Sequence, residues 1–222
     1  MIDDGYIDQW YEVIDFLDQY DSKLTFYISN FHKLSNTQIN KLKQFRDRGH
    51  EIGFHGTHHL CATEYLSNYT CNEYMEYEIF PDLALMRKAG FTVKHFAYPY
   101  GCNSTESDSV LLKHLKSVRK LAWTSKENPL PNQNQIYYTK PVNHEVLRAA
   151  GIDIEYNVTI EDIEQSIDRI AENQECLLLY CHKLSNVEGK WNISPKKVKR
   201  IVEYCYSKRI PMITVEDLYQ IN

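Results

Sequence analysis

Apolar positions along this chain fall into two alternating periods. Leu24 to Ile28, Glu51 to Phe54, Val93 to Ala97, Leu121 to Thr124 and Ile210 to Thr214 are short runs rich in strand formers, and each reads as a strand. Cys176 to Cys181 is a continuous apolar run, the mark of a strand buried on both faces. Between these runs the spacing changes to that of an amphipathic helix. Trp10, Val13, Ile14 and Leu17 form one such set. Ile160, Ile163, Ile167 and Ile170 form another, and Val198, Ile201, Val202 and Cys205 a third. Thr37 to Arg48 reads as a helix stopped by Gly49. Asn72 to Ala89 reads as one stopped by Gly90, which Pro81 should kink or split. A helix is expected from about Ser104 to Ser117, a short strand over Ile136 to Thr139, and a short helix over His144 to Ala150. Asn128 to Gln135, with two prolines, is a loop.

Strands thus alternate with helices, which argues for a mostly parallel sheet with helical crossovers. Seven or eight such units in 222 residues predict an α/β fold: a distorted (β/α) barrel of about seven parallel strands with outer helices. Only Met1 and Ile2 precede the first acidic pair, so the first strand is almost absent. Either the barrel is open there or the sequence begins inside a longer protein. No repeat or linker divides the chain, and residues 1–222 read as one domain.

Composition changes this picture little. Hydrophobic residues make up 43% and charged residues 25%, enough for a sizeable core. The net charge of −5 gives no reason to propose a nucleic-acid partner, and no apolar run is long enough to span a bilayer. Lys196, Lys197, Lys199 and Arg200 read as the solvated face of the last long helix. The six cysteines include no C-x-x-C pair, so a zinc ribbon is not indicated and no disulfide is assigned. No protein partner is inferable.

Candidate chemistry collects at the ends of the expected strands. Asp3 and Asp4 follow the first stub. His55, His58 and His59 follow the strand ending at Phe54. Tyr98-Pro99-Tyr100-Gly101 follows the strand ending at Ala97, and His182 follows Cys181. In an α/β barrel the C-terminal strand ends share one face, where active sites are built. If the chain turns helical after His55, the i, i+4 spacing puts His55 and His59 on one side, and two imidazoles with a carboxylate are a familiar catalytic metal set. Plainer roles stay open: Asp3-Asp4 as a turn, a His55–His58 pair, His182 as a hydrogen-bonded core histidine, and Tyr98 and Tyr100 as packing. Trp123 and Trp191 fit either a sugar-stacking wall or buried packing.

Asp3-Asp4-Gly5, His55-x-x-x-His59, Tyr98-Pro99-Tyr100-Gly101 and Leu177 to His182 resemble, in order and spacing, the motifs of polysaccharide deacetylases. These form the NodB-type domain, carbohydrate esterase family four. The stretch from Phe96 to Gly101 is most similar to the branch acting on poly-N-acetylglucosamine. The resemblance implies metal-dependent hydrolysis of N-acetyl or O-acetyl groups on a carbohydrate. Asp4, His55 and His59 would bind the metal, most often zinc, with cobalt or nickel as substitutes. Asp3 would be the general base, His182 the general acid, and the Tyr100 backbone N–H an oxyanion donor. Tyr98, Pro99, Trp123 and Trp191 are the residues expected to line the substrate. The family is often exported to the cell envelope or secreted, although no signal peptide precedes the first motif here.

Two departures accompany the resemblance. The family's third motif carries an arginine that pairs with the catalytic aspartate, and that position is Ala97. The usual carboxylate-and-Trp motif before the final strand is not evident. Both departures would suit a catalytically silent carbohydrate-binding barrel, and a related barrel hydrolysing a small non-sugar amide is a third reading.

Overall fold

The computed structural model describes residues 1–125 and 127–221. Seven strands form one parallel sheet whose spatial order is the chain order. They are β1 (Ile2–Asp3), β2 (Thr25–Ile28), β3 (Glu51–Phe54), β4 (His95–Ala97), β5 (Ser117–Ala122), β6 (Val146–Gly151) and β7 (Leu179–Tyr180). The sheet curls into a barrel with one unsealed seam. There β1 and β7, two residues each, meet at a single bridge between Ile2 and Cys181. The Asp3 N–H donates to the Cys181 carbonyl (2.9 Å) and the Cys181 N–H to that of Met1 (3.1 Å). The expected barrel of seven parallel strands, weakest at its first strand, is therefore what forms.

Side chains alternate across the sheet with the period of two that a pleated strand imposes. Tyr27, Ala97, Leu147, Ala149 and Tyr180 pack together inside. Phe26, Phe54, Phe96, Val118 and Ala150 face the helical layer. Gly53 lets the Tyr27 ring lie against the β3 backbone, since a Cβ there would sit 2.6 Å from the ring. The outer helices are built as their sequences dictate. Ile160–Asn173 starts at a capping box formed by Thr159 and Asp162 and buries Ile163, Ile167 and Ile170. Pro195–Ser207 starts at Ser194, with Pro195 in its first turn, and buries Val198, Ile201, Val202 and Cys205. Each such side chain contributes about 1.5–3 kcal/mol by leaving water.

Several local expectations are corrected. Val146–Gly151, expected as a helix over His144 to Ala150, is barrel strand β6. Its Leu, Arg and Ala residues favour a helix locally, but five residues pair with β5, from Val118↔Val146 to Ala122↔Ala150. The Cys176 to Cys181 run is two pieces. Glu175–Leu177 pairs antiparallel with Tyr137–Thr139, and only Leu179–Tyr180 joins the barrel. Ile210 to Thr214 forms no strand and is held by the Lys23 N–H on the Met212 carbonyl (2.9 Å); Pro211 has no N–H to donate. The Trp10 set is broken into Ile7–Tyr11 and Ile14–Gln19, and the helix expected to reach Ser117 stops at Leu111. β5 consequently starts at Ser117, four residues earlier than Leu121, and ends before Trp123. Pro81 acts as expected: a π-helical turn, Met75–Ile79, precedes the helix Phe80–Lys88 that it opens. Lys197 is not part of a solvated face, because its ammonium donates to the carbonyls of Ile152 (2.9 Å) and Val158 (2.7 Å). No helix among the described residues is long and apolar enough to cross a membrane.

Candidate active site

The C-terminal ends of β1, β3, β4 and β7 bring the expected residues to one face. Asp4, His55 and His59 each offer one ligand atom, all within 4.8 Å of one another. His59 Nε2 lies 3.2 Å from Asp4 Oδ1 and 3.2 Å from His55 Nε2. His55 Nε2 lies 3.6 Å from the same Asp4 oxygen. His55 Nδ1 sits 2.7 Å from the Ala97 carbonyl, which can only accept, so this nitrogen carries the proton and the Nε2 lone pair faces the cluster. Burial lowers the His55 pKa to about 4, which keeps the ring neutral. Burial would raise the Asp4 pKa, but its hydrogen bond to His59 and the neighbouring imidazoles bring it down to about 2. A carboxylate and two inward-facing imidazoles make a donor set that fits a divalent metal.

The backbone is bent to achieve this. Asp4 (φ 71°), His59 (φ 62°) and Tyr100 (φ 57°) all occupy the left-handed region, which side-chain-bearing residues enter at a cost of order 1–3 kcal/mol. The His55–His59 loop is held by Glu78 from the π-helical turn. This fully buried carboxylate accepts the N–H of His58 (2.8 Å) and of Leu60 (2.9 Å). Gly56, at φ 89°, makes room for it, as a Cβ would fall 2.1 Å from Glu78 Oε1. Burial raises the Glu78 pKa to about 7, against the pull of those amides. A disulfide that the sequence left unassigned, Cys61–Cys102, ties this loop to the turn after β4. His58 faces away, its ring stacked on Tyr77 at 4.2 Å.

Asp3 is buried, and its partner overturns one expectation. No arginine stands at Ala97, yet Asp3 has one. Arg119 on β5, in register with Ala97, donates through Nη2 to both Asp3 oxygens. Burial alone would raise the Asp3 pKa, but the guanidinium charge holds it below the ordinary carboxylate value. Arg119 is itself buried between the rings of Tyr27 (5.5 Å) and Tyr180 (4.6 Å).

The missing carboxylate is also present. Asp153, fully buried just past β6, accepts the His182 N–H (3.0 Å) and lies 2.7 Å from His182 Nδ1. Desolvation would lower the His182 pKa, but the Asp153 hydrogen bond and the charge of Asp3 raise it. Trp10 donates its indole N–H to the His182 carbonyl (2.7 Å), and Lys197 pins the loop carrying Asp153. The helical pattern of residues 144–150 conceals Asp153 as a strand-end residue, and the apolar run starting only at Leu121 conceals Arg119 as a strand residue. A polar residue just past an apolar run was the signal available for Asp153.

The expected substrate-facing residues divide. Tyr98 is 1% exposed, with its hydroxyl bonded to Ser107 (3.0 Å) and Asp108 (2.8 Å), and Pro99 is buried beside it. Neither side chain is available to a ligand, which corrects that expectation. Trp123 (65% exposed) and Trp191 (44%) do face solvent. Tyr156 stands between them, 6.0 and 5.9 Å from their ring centres, and Trp191 is 5.5 Å from His182. The Tyr100 ring is exposed and 4.7 Å from His59.

A barrel with a carboxylate and two imidazoles at its strand ends, flanked by a buried acid and a carboxylate-held histidine, defines a hydrolase-like site whose donor set fits a divalent metal. Residues 1–116 match the family model described as polysaccharide deacetylase, and the chain belongs to that family. Its fold is shared by several solved structures at low identity. "T48 deacetylase with substrate" is 17% identical, with 99% of this chain and 88% of that chain covered and a TM-score of 0.57. The chitin deacetylase of the fungal pathogen Colletotrichum lindemuthianum is 15% identical, with 98% and 84% covered and a TM-score of 0.58. A family 4 acetyl xylan esterase from Clostridium thermocellum, in complex with a cobalt ion, is 16% identical, with 99% and 88% covered and a TM-score of 0.58. No curated protein matches the sequence. Family membership makes this chain a carbohydrate deacetylase by class.

Proposed function

We propose that this protein is a metal-dependent N-deacetylase of a polysaccharide containing N-acetylglucosamine. The observation that carries the reading is the pair of buried partners flanking the metal-fitting cluster. Arg119 holds Asp3 ionised, while Asp153 favours the protonated form of His182. Two titratable groups pushed in opposite directions are the signature of a base and an acid.

Asp4, His55 and His59 would hold the metal, zinc by donor preference. When bound, such an ion polarises the acetyl carbonyl and lowers the pKa of water. Asp3 then accepts the proton of the attacking water. The Tyr100 N–H donates to the oxygen on which charge develops. An amide nitrogen leaves poorly as an anion, so His182 delivers a proton to it. Trp123, Tyr156 and Trp191 provide aromatic surface for the sugar beside His182. A silent barrel was favoured by two apparent gaps, and Arg119 and Asp153 occupy both. The raised His182 pKa favours an amide over an acetyl ester, whose alcohol needs less help to leave.

The test combines elemental analysis of the purified protein with acetate release from chito-oligosaccharides. Near-stoichiometric metal and acetate release are expected. Metal with turnover of small non-sugar amides only, or sugar binding without turnover, would refute the proposal.

A further inference from the structure

Resting on the deacetylase reading, we propose that the Cys61–Cys102 disulfide positions the catalytic loops, so that a dithiol reductant reversibly lowers turnover without unfolding the protein. The bond joins two loops that leave separate strand ends. Cys61 stands two residues past His59, and Cys102 two residues past Tyr100. The loop carrying a metal-fitting imidazole is thus tied to the turn carrying the oxyanion donor. The two Cα atoms are 5.1 Å apart, although 41 residues separate them along the chain.

Each loop is held firmly on its own side. The Thr57 N–H donates to the Glu78 carbonyl (2.9 Å), and the Glu78 carboxylate accepts the N–H of His58 and of Leu60. In the turn, the Gly101 N–H donates to the Tyr98 carbonyl (2.9 Å) and the Cys102 N–H to that of Pro99 (3.1 Å). Little holds one loop to the other. Among the described residues, no hydrogen bond joins residues 56–61 to residues 98–103. The His59 and Tyr100 rings meet edge to face at 4.7 Å, and the disulfide is the covalent link beside that contact. His59 and Tyr100 are also the left-handed, side-chain-bearing residues of their loops, a conformation kept only where the surroundings enforce it. The placing of the Tyr100 N–H against the His59 imidazole therefore rests on one ring contact and one bond. A catalytic group misplaced by about 1 Å can cost roughly 10²-fold in rate. Asp4 and His55 sit at strand ends that the bond does not touch, and Glu78 still holds the loop amides, so opening the bond should disturb alignment more than metal binding. Cys102 is half-buried and Cys61 buried, so the Cys102 sulfur is the one a reductant reaches. A thiolate of the reductant bonds to it and Cys61 leaves as a thiolate. The reductant's second thiol then displaces Cys102, giving two cysteine thiols and the reductant's own disulfide.

The reductant used is dithiothreitol. Counting thiols with a chromogenic reagent in denatured, unreduced protein should find four, those of Cys71, Cys176, Cys181 and Cys205. Finding six would overturn the proposal. Acetate release from an N-acetylglucosamine hexasaccharide is then followed for the oxidised protein, for protein reduced and desalted, and for Cys61→Ser/Cys102→Ser. Turnover should fall roughly 10- to 100-fold in the last two, through kcat, while elemental analysis shows the metal retained and the melting temperature stays above that of the assay. Reoxidation should restore the reduced protein, and dithiothreitol should leave the double variant unchanged. Full kcat in the double variant, or in the reduced protein where the variant does not fold, overturns the positioning role and leaves the deacetylase reading standing. A loss matched by loss of metal or by unfolding overturns it as well. No acetate release by the oxidised, metal-loaded protein overturns the deacetylase reading and this role with it.

Discussion

Replacing Arg119 by Met tests whether the buried Asp3–Arg119 pair is the device that keeps the base ionised. Methionine fills most of the space between Tyr27 and Tyr180 but removes the charge. Asp3 would then be a buried carboxylate without its cation, and breaking such a pair from one side costs about 3–5 kcal/mol. For an ordinary domain that is a large part of the total stability. The cost must depend on pH. In the native protein the Asp3 pKa is depressed, so its stabilisation is present above the unfolded value and lost as pH falls through the folded one. Without Arg119 only burial remains, which raises the folded pKa, and the sign reverses: the ionised form now destabilises. The stability gap between the two proteins should therefore narrow as the solution is acidified. Urea denaturation at a series of pH values measures this. Asp3→Asn in the Arg119→Met background should restore part of the loss, because no charge is then left buried. The acidic limb of the pH–rate profile should also move to higher pH in Arg119→Met, since the base is protonated earlier. A loss below about 1 kcal/mol that does not vary with pH, together with an unmoved acidic limb, would show that Arg119 only packs.

Three further outcomes are expected. Asp3→Asn should keep its metal while turnover falls roughly 10²–10⁴-fold, whereas Asp4→Asn should lose metal occupancy and regain part of its activity in excess zinc; elemental analysis showing the reverse pattern would exchange their roles. Asp153→Asn removes the group that raises the His182 pKa, so the basic limb of the profile should shift to lower pH, with a larger loss on a chito-oligosaccharide than on 4-nitrophenyl acetate; equal losses on the two substrates would count against His182 as the acid. Glu78→Ala should weaken metal affinity about 10–100-fold, read by competition with a chromophoric chelator, because the His55–His59 loop loses its amide acceptor; unchanged affinity would mean that the loop holds its shape without it.

The sequence by itself determined the alternation of strands and helices, because the two hydrophobic periods are local and each fixes its own element. It also placed Asp4 and His55 on one face, since strand-end positions in a parallel barrel share a face; His59 reaches them through a left-handed bend (φ 62°) and not through the helical turn its spacing suggested, so tertiary structure chose it over His58. Glu51–Phe54 and the helices with buried Ile163 or Val198 lie where their patterns put them. Tertiary structure alone decided β6, where pairing with β5 overrode the helical preference of Leu147 to Ala150. It alone decided that Tyr98 is buried while Trp123 is not, because period marks a face but not what covers it. The tuning of the site lay beyond the sequence for the same reason. Asp3 and Arg119 are 116 residues apart, and His182 and Asp153 are 29 apart. Coulomb interactions depend on distance in space, and only the closing of the barrel brings those charges together.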